Sequence, residues 1–585
     1  MKPNQKLELT WIGKGQEPKL EPRILIEQPE YSYGDPDSGN MLIQGDNLLA
    51  LKALEQEYAG KVKCIYIDPP YNTGSAFEHY DDNLEHSIWL NLMNQRIVFL
   101  RNLISMDGFF CCHIDDSEGQ YLKVLLDEIF GRKNYLTTLF VRVRYPDKTL
   151  KQDMDFHKEI EQVHVYRKEY GAKPNLNQSE LSFDKFCFFI SELSQGKEVI
   201  LGGKRVVVFQ KGEYVIEKKS EGNAFGLKEI WATGSILDGN SSGRFFRDNL
   251  TGRYEIDGLG VLYKVYGIGD DRYDYRYFTG PQRLGATKGK YFQGVPVDNL
   301  NSENKITEQP INNFYDLASS FGNCRTEGGV GFRGGKKPEM LLSLILRHFS
   351  NEGDLVLDSF LGSGTTAAVA QKMGRKWIGI ELGDHAKTHC VPRLKQVIAG
   401  SDQGGISKAV EWQGGGGFKF YTLAPSLLNK DKYDNWIISK EYNPDMLAAA
   451  MAKQSGFRYE PDGHVYWKQG RSSEKDYIYT TTQFMTVEML EKIREEMGPD
   501  ESLMICAKIY QRECENRFPN ITVKKIPQML LGKCEFGKED YSLNIVNLPH
   551  DDVAAPSDDE AIDERIDENP GNEPASQSAQ TNLFY

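Results

Sequence analysis

Apolar positions in the first 170 residues fall into short uninterrupted runs separated by stretches of helical period. Met41-Leu42-Ile43-Gln44 leads into Gly45-Asp46-Asn47 and then into apolar positions spaced by three and four, which predicts a strand, a turn and a helix over 48–58 capped by Asn47. Cys64-Ile65-Tyr66-Ile67 predicts a second strand and 86–105 a second helix. Gly108 to Ile114 reads as a buried strand closed by Asp115-Asp116, followed by a helix over 119–131 and strands over 136–143 and 160–166. Strands alternating with helices predict an α/β fold with a doubly wound, mostly parallel sheet. Between about 170 and 315 the period is lost and glycines, tyrosines and charges mix. It returns in a helix opened by Lys336-Lys337-Pro338-Glu339, where proline suits the first turn. The strand Leu355-Val356-Leu357, an Ala-rich helix, the strand Lys376 to Glu381 and a loop and closing strand over 404–421 follow. Residues 430–547 mix short β-prone runs with a helix over 487–497, as a small separate α/β domain would.

Composition adds limits to this picture. At 585 residues, 39% hydrophobic and 11% aromatic, the chain is long enough for three or four folded domains. There is no apolar run of membrane-spanning length and no apolar leader after Met1-Lys2-Pro3, so neither a transmembrane helix nor a signal peptide is expected. Nine scattered cysteines form no Cys-x-x-Cys pair, which favours reduced thiols and a cytoplasmic location over a zinc site or a disulfide framework. The net charge of −14 is mostly local: residues 551–585 hold ten acids and one Arg, a net −9, leaving −5 for the rest. An anionic partner would therefore have to meet a basic cleft, not a basic surface.

Two loops carry the candidate chemistry. The first, Asp68-Pro69-Pro70-Tyr71, ends the Cys64–Ile67 run. Its prolines fix φ and remove two N–H donors, so the loop offers a carboxylate, a backbone carbonyl and an aromatic face. That set suits the exocyclic amino group of a stacked base, whose two hydrogens need acceptors and whose ring needs a platform; an ordinary proline-rich turn after a strand has the same appearance. The second loop lies in Gly353-Asp354-Leu355-Val356-Leu357-Asp358-Ser359-Phe360-Leu361-Gly362-Ser363-Gly364-Thr365, a strand, a glycine turn and a helix start where backbone can approach a ligand. Glu381 closes the next strand, placed to bind ribose hydroxyls as in nucleotide-binding α/β folds. This loop contains neither Gly-x-Gly-x-x-Gly nor a Gly-Lys-Ser/Thr phosphate loop, which disfavours dinucleotides and nucleoside triphosphates at it.

Together, Asp68-Pro69-Pro70-Tyr71 and Phe360-x-Gly362-x-Gly364 resemble the amino-methylating DNA methyltransferases that use S-adenosylmethionine. The catalytic loop precedes the cofactor loop by about 290 residues, the order of the permuted β group. Asp68 followed by Asn72-Thr73-Gly74 is most similar to the adenine-N6 enzymes, and residues 35–425 are most similar to modification subunits of type III restriction–modification systems. A stand-alone or orphan adenine-N6 enzyme, or a cytosine-N4 enzyme, is the alternative. The resemblance implies a circularly permuted Rossmann-like fold divided into an arm (1–40), a catalytic half (41–168), a target-recognition domain (169–315), a cofactor-binding half (316–425), a C-terminal α/β domain (426–547) and an acidic disordered tail (548–585). It implies catalysis by Asp68, Pro69, Pro70 and Tyr71, and S-adenosylmethionine held by Asp358, Phe360, Gly362, Gly364, Thr365 and Glu381, with Asp46, Lys337 and Pro338 as further candidates. No metal is required. The implied partners are double-stranded DNA, a second copy of the chain and a helicase-nuclease restriction subunit at the nucleoid.

The 170–315 region contains Arg244, Arg247, Tyr275 and Arg276, interleaved cations and aromatics suited to phosphate, base-edge and stacking contacts. The same residues fit a β meander with cross-strand aromatic pairs. Gln580, Leu583 and Phe584 near the C-terminus resemble the peptide that docks on bacterial sliding clamps, and equally suit a frayed end. His113, His157 and His385 stand in no ligand constellation and are read as structural or surface residues.

Overall fold

The computed structural model describes residues 8–71, 82–146, 156–180, 182–232, 241–269, 271–285, 288–300, 306–332, 335–539 and 541. Asn72-Thr73-Gly74, the tail from 548 and the clamp-like Gln580, Leu583 and Phe584 lie outside them. The chain forms two compact units. One holds the described residues up to Ala172, Asp316–Leu346 and those from Asn351 onward; the other holds Lys173–Tyr315 and Arg347–Ser350.

The first unit is built on a large mixed sheet. Its strands run in the order Gly417–Leu423, Met41–Gln44, Lys376–Glu381, Leu355–Asp358, Val62–Ile67, Ile104–Ile114, Ile160–Arg167 and Tyr135–Arg142. The pairings from Gly417–Leu423 through to Ile104–Ile114 are parallel, and the last two are antiparallel. Central strands covered on both faces need continuous apolar runs. Val62–Ile67 is such a run, with Cys64, Ile65, Tyr66 and Ile67 all at most 1% exposed. Helices Asn47–Tyr58 and Asp82–Leu103 contribute Leu51, Leu54, Trp89, Met93 and Leu100 to one core with Ile65, Ile67, Phe110, Leu357 and Ile378. Each such side chain contributes roughly 1.5–3 kcal/mol by leaving water. Asp46, not Asn47, caps the first helix: its Oδ1 accepts from the Leu49 N–H at 3.0 Å. The Asn47 amide is drawn away to the Ser359 carbonyl at 2.8 Å.

The topology brings distant sequence together. Val356 lies opposite Cys64 and Leu357 opposite Ile65 in parallel register. The ends of these two strands, about 290 residues apart in the chain, are thus one strand spacing, about 4.8 Å, apart in the sheet.

A five-stranded sheet follows in the same unit, with Asp476–Met485, Ser502–Tyr510 and Ile521–Lys525 parallel. Helices Pro444–Gln454 and Val487–Glu496 flank it, each capped by a side chain, Asn443 and Thr486.

The second unit contains a six-stranded antiparallel sheet in the order Lys197–Leu201, Lys204–Phe209, Leu262–Tyr266, Tyr275–Thr279, Lys290–Gln293, Lys228–Trp231. Val206, Val208, Tyr263, Val265 and Phe278 pack under Phe245 and Phe246 on one face. Among the described residues no helix is long and apolar enough to cross a membrane.

Candidate active site

Asp68 leaves the Val62–Ile67 strand into the two prolines. The loop is pinned where proline removes donors but not acceptors: Trp89 Nε1 donates to the Pro70 carbonyl at 2.8 Å. Both Asp68 oxygens have partners. The Tyr71 hydroxyl donates to Oδ1 at 2.8 Å, and Lys337 Nζ lies 2.9 Å from Oδ2. A second carboxylate, Glu161 on the Ile160–Arg167 strand, stands behind both donors, 3.2 Å from the Tyr71 hydroxyl and 3.6 Å from Lys337 Nζ. His113, buried at the end of Ile104–Ile114, holds Glu161 through Nε2 at 2.8 Å and meets the Tyr66 hydroxyl through Nδ1 at 2.9 Å.

The charges are consistent with that geometry. Burial alone would push the Glu161 carboxyl up, but the His113 hydrogen bond and the His113 and Lys337 charges hold it at about 2. Burial disfavours the Lys337 ammonium, and Asp68 and Glu161 outweigh that and raise its pKa. Burial together with Asp68 and Glu161 pushes the Tyr71 phenol well up, so Tyr71 is a hydrogen-bond donor at neutral pH.

The glycine loop lies beside this cluster, after Leu355–Asp358. Gly362 has φ +57° and Gly364 φ +82°, and a Cβ on Gly362 would meet nothing within 4 Å. The left-handed backbone favours glycine there, and the space above it is open to a ligand. Asp358 braces the turn, with Oδ1 accepting from the Phe360 N–H at 2.9 Å and Oδ2 from the Thr366 hydroxyl at 2.6 Å. Burial, with Asp68 and Glu381 adding negative charge, lifts its carboxyl to about 7 against those hydrogen bonds. Glu381 accepts from the Gly362 N–H at 2.7 Å and the Gly383 N–H at 3.2 Å, and pairs with His385 at 2.9 Å. An open glycine backbone with a carboxylate at the next strand end fits a nucleoside-bearing ligand.

The further candidates are placed differently. Thr365 turns its hydroxyl to the buried Arg393 at 2.7 Å, and Arg393 pairs with Glu339 at 2.8 Å. Asp46 is 2% exposed and is engaged by Leu49, by Arg96 at 3.2 Å and by the Tyr541 N–H at 3.1 Å. Lys337 reaches Asp68, not the glycine loop, and Pro338 is buried at the entry to the Glu339–Phe349 helix. In the second unit Arg244 is exposed and lines a cavity of about 370 Å³ with Lys204 and Asn249. Arg247 is exposed and pairs with Asp248 at 2.7 Å. Tyr275 sits half-buried under Lys264, whose Nζ is 4.0 Å from the ring centre. Arg276 contradicts the expectation of a DNA contact. It is 4% exposed, and its guanidinium bonds the Ser242 hydroxyl and meets Asp271 at 3.5 Å. The Tyr275–Thr279 strand is covered on both faces, with Tyr277 5% and Phe278 0% exposed, so Arg276 is buried with its neighbours.

Glu161 escaped the sequence reading, and His113, read there as structural or surface, is buried against Glu161 and Tyr66. Glu161 had a faint signal, an acid in phase with the apolar Val163 and Val165, both of them buried. His113 had none, since its partners lie on other strands.

A mixed sheet carrying a carboxylate loop and a glycine loop on the ends of adjacent parallel strands defines an α/β protein of the methyltransferase type. The chain belongs to the DNA methylase family, whose model matches residues 62–391. It is 34% identical over 428 residues to a probable type III restriction–modification enzyme HindVI Mod subunit of Haemophilus influenzae, covering 68% of this chain and 56% of that protein. It is 25% identical over 425 residues to the EcoPI Mod subunit of Escherichia phage P1, covering 63% and 61%. Identity to the type II methyltransferase M.EcaI of Enterobacter cloacae is 27% over 353 residues, covering 58% and 66%. The chain thus spans between 56% and 66% of the length of these relatives.

Proposed function

We propose that the protein is a site-specific DNA methyltransferase that moves a methyl group from S-adenosylmethionine to the N6 nitrogen of adenine. The observation that carries this reading is the placement of Asp68-Pro69-Pro70-Tyr71 beside Gly362 on neighbouring parallel strands. The bound cofactor supplies a methyl group on a sulfonium. Asp68 and the Pro69 carbonyl accept the two amine hydrogens, concentrate the nitrogen lone pair and aim it at the methyl carbon. Transfer would join nitrogen to the methyl carbon and leave the C–S electron pair on the departing thioether, and Asp68 would take the proton the nitrogen must lose. Tyr71 stacks on the base, which is extruded from the duplex because N6 is otherwise out of reach. Gly362, Gly364 and Phe360 would line the cofactor and Glu381 would take its ribose, while Asp358, buried and bonded to Phe360 and Thr366, would shape the loop at its methionine end.

The similarity to two type III Mod subunits supports a role as the modification and recognition subunit of such a system, dimeric and partnered with a helicase-nuclease. The similarity to a type II methyltransferase supports the stand-alone alternative. The second unit, with Arg244 and Arg247, is the proposed reader of sequence, and Gln580, Leu583 and Phe584 a proposed sliding-clamp contact. The protein would act in the cytoplasm, at the nucleoid. Mass spectrometry of nucleosides from unmethylated duplex DNA incubated with the protein and S-adenosylmethionine tests the chemistry: N6-methyladenine is expected, N4-methylcytosine would move the enzyme to the other amino group, and no methylated base would overturn the reading.

A further inference from the structure

Each oxygen of the carboxylate that must receive the amino group already holds a donor. Asp68 holds the Tyr71 hydroxyl on one oxygen and the Lys337 ammonium on the other, at 2.8 and 2.9 Å. Each oxygen can accept a second hydrogen bond, but a donor that keeps its place competes with the incoming amine for the same oxygen, and a buried ammonium moved off without another anion is costly. Glu161 offers both donors another place. It lies 3.2 Å from the same hydroxyl and 3.6 Å from the same ammonium, in reach of each yet farther than Asp68.

We propose that Glu161 is a positioning residue that receives the Tyr71 hydroxyl and the Lys337 ammonium from Asp68 when the target base enters, freeing the Asp68 oxygens for the amino group. His113 Nε2 lies 2.8 Å from Glu161 on the buried side of the receiving carboxylate. The low pKa of Glu161 keeps it charged and ready to take a cation. Lys337 stays paired throughout, which removes the penalty that would otherwise oppose binding of the base. The inference rests on the reading of Asp68 as the acceptor of the reacting amine.

The test is single-turnover methylation of unmethylated duplex DNA by the full chain and its variants. E161Q keeps the shape and loses the charge. It is expected to slow methyl transfer on the order of 100-fold, as misplacement of a reacting group does, while S-adenosylmethionine affinity by calorimetry is unchanged. E161D keeps the charge and shortens the reach, and a smaller loss of rate with unchanged cofactor affinity is expected even if E161Q folds poorly. In a Y71F/K337M background nothing is left to hand over, so adding E161Q should cost no further rate; a purely structural Glu161 would cost the same in both backgrounds. E161Q and E161D both as fast as wild type, or losses that multiply in the triple variant, would overturn the handover while leaving the methyltransferase reading intact. A wild-type protein that transfers no methyl group would overturn that reading and the handover with it.

Discussion

The two loops of the site are neighbours in space and are held by opposite means. The glycine loop is supported from nearby: Asp358 bonds the amide of Phe360 and the hydroxyl of Thr366, and Glu381 bonds the amide of Gly362. The acid loop is supported from afar. Asp68 and Tyr71 meet Glu161 and Lys337, drawn from segments roughly 90 and 270 residues away. A binding surface that only has to fit a ligand is made from local backbone geometry, whereas a group that has to change partners is surrounded by charges from separate elements.

Removing Asp68 tests this contrast most severely. D68A should lower methyl transfer on the order of 10³-fold or more, since it deletes the acceptor of the reacting amine. Cofactor affinity should stay near wild type, because no support of the glycine loop depends on Asp68. Methylation at a near wild-type rate would sink the assignment of the acid loop. The reciprocal change is G362D. A carboxylate on a left-handed residue, facing open space beside Asp358 and Glu381, should weaken cofactor binding on the order of 100-fold by calorimetry. Unchanged affinity would remove the glycine loop from the cofactor site.

The same contrast explains what could be read in advance. Asp68-Pro69-Pro70-Tyr71 and Phe360-x-Gly362-x-Gly364 are contiguous, and contiguous residues that fix φ or remove donors leave a mark in the sequence. The alternation of buried strands with helices did the same for the parallel sheet. The Asn47 cap failed because Asp46 and Asn47 are equally good caps, and only the sheet contact to Ser359 decides between them. Arg276 departs from the expectation because its strand is covered on both faces, and the interleaved cations and aromatics give no local sign of that. Glu161 was invisible, and His113 could be read only as structural or surface, because their roles arise from strand neighbours, which no local pattern encodes.

Acid titration gives a smaller effect on the same cluster. The Glu161 carboxyl is lowered from 4.5 to about 2. A depressed carboxylate contributes stability above its unfolded value and loses it as pH falls through the folded one. Wild type should therefore exceed E161Q in urea stability by up to about 3 kcal/mol at neutral pH, and the gap should close as pH falls from about 4.5 towards 2. A gap that does not change with pH would mean that the charge of Glu161 contributes nothing to the folded cluster.

The last comparison lies within the second unit, between two arginines the sequence treated alike. Arg276 is buried against Asp271 and Ser242, while Arg247 is exposed beside Asp248. R276A leaves Asp271 without its cation and should cost about 3 kcal/mol of stability in urea. Asp271 keeps the Tyr273 and Gly294 N–H donors at 2.9 and 2.8 Å, so the loss should stop short of unfolding the sheet. R247A should leave the melting temperature unchanged, because an exposed pair with an adjacent residue adds little to folding. If Arg247 meets a phosphate, R247A should weaken DNA binding equally across sequences and reduce the slope of log affinity against log salt by about one. Stability loss in R247A, or a salt-slope change in R276A without one, would reverse the assignment of the two residues.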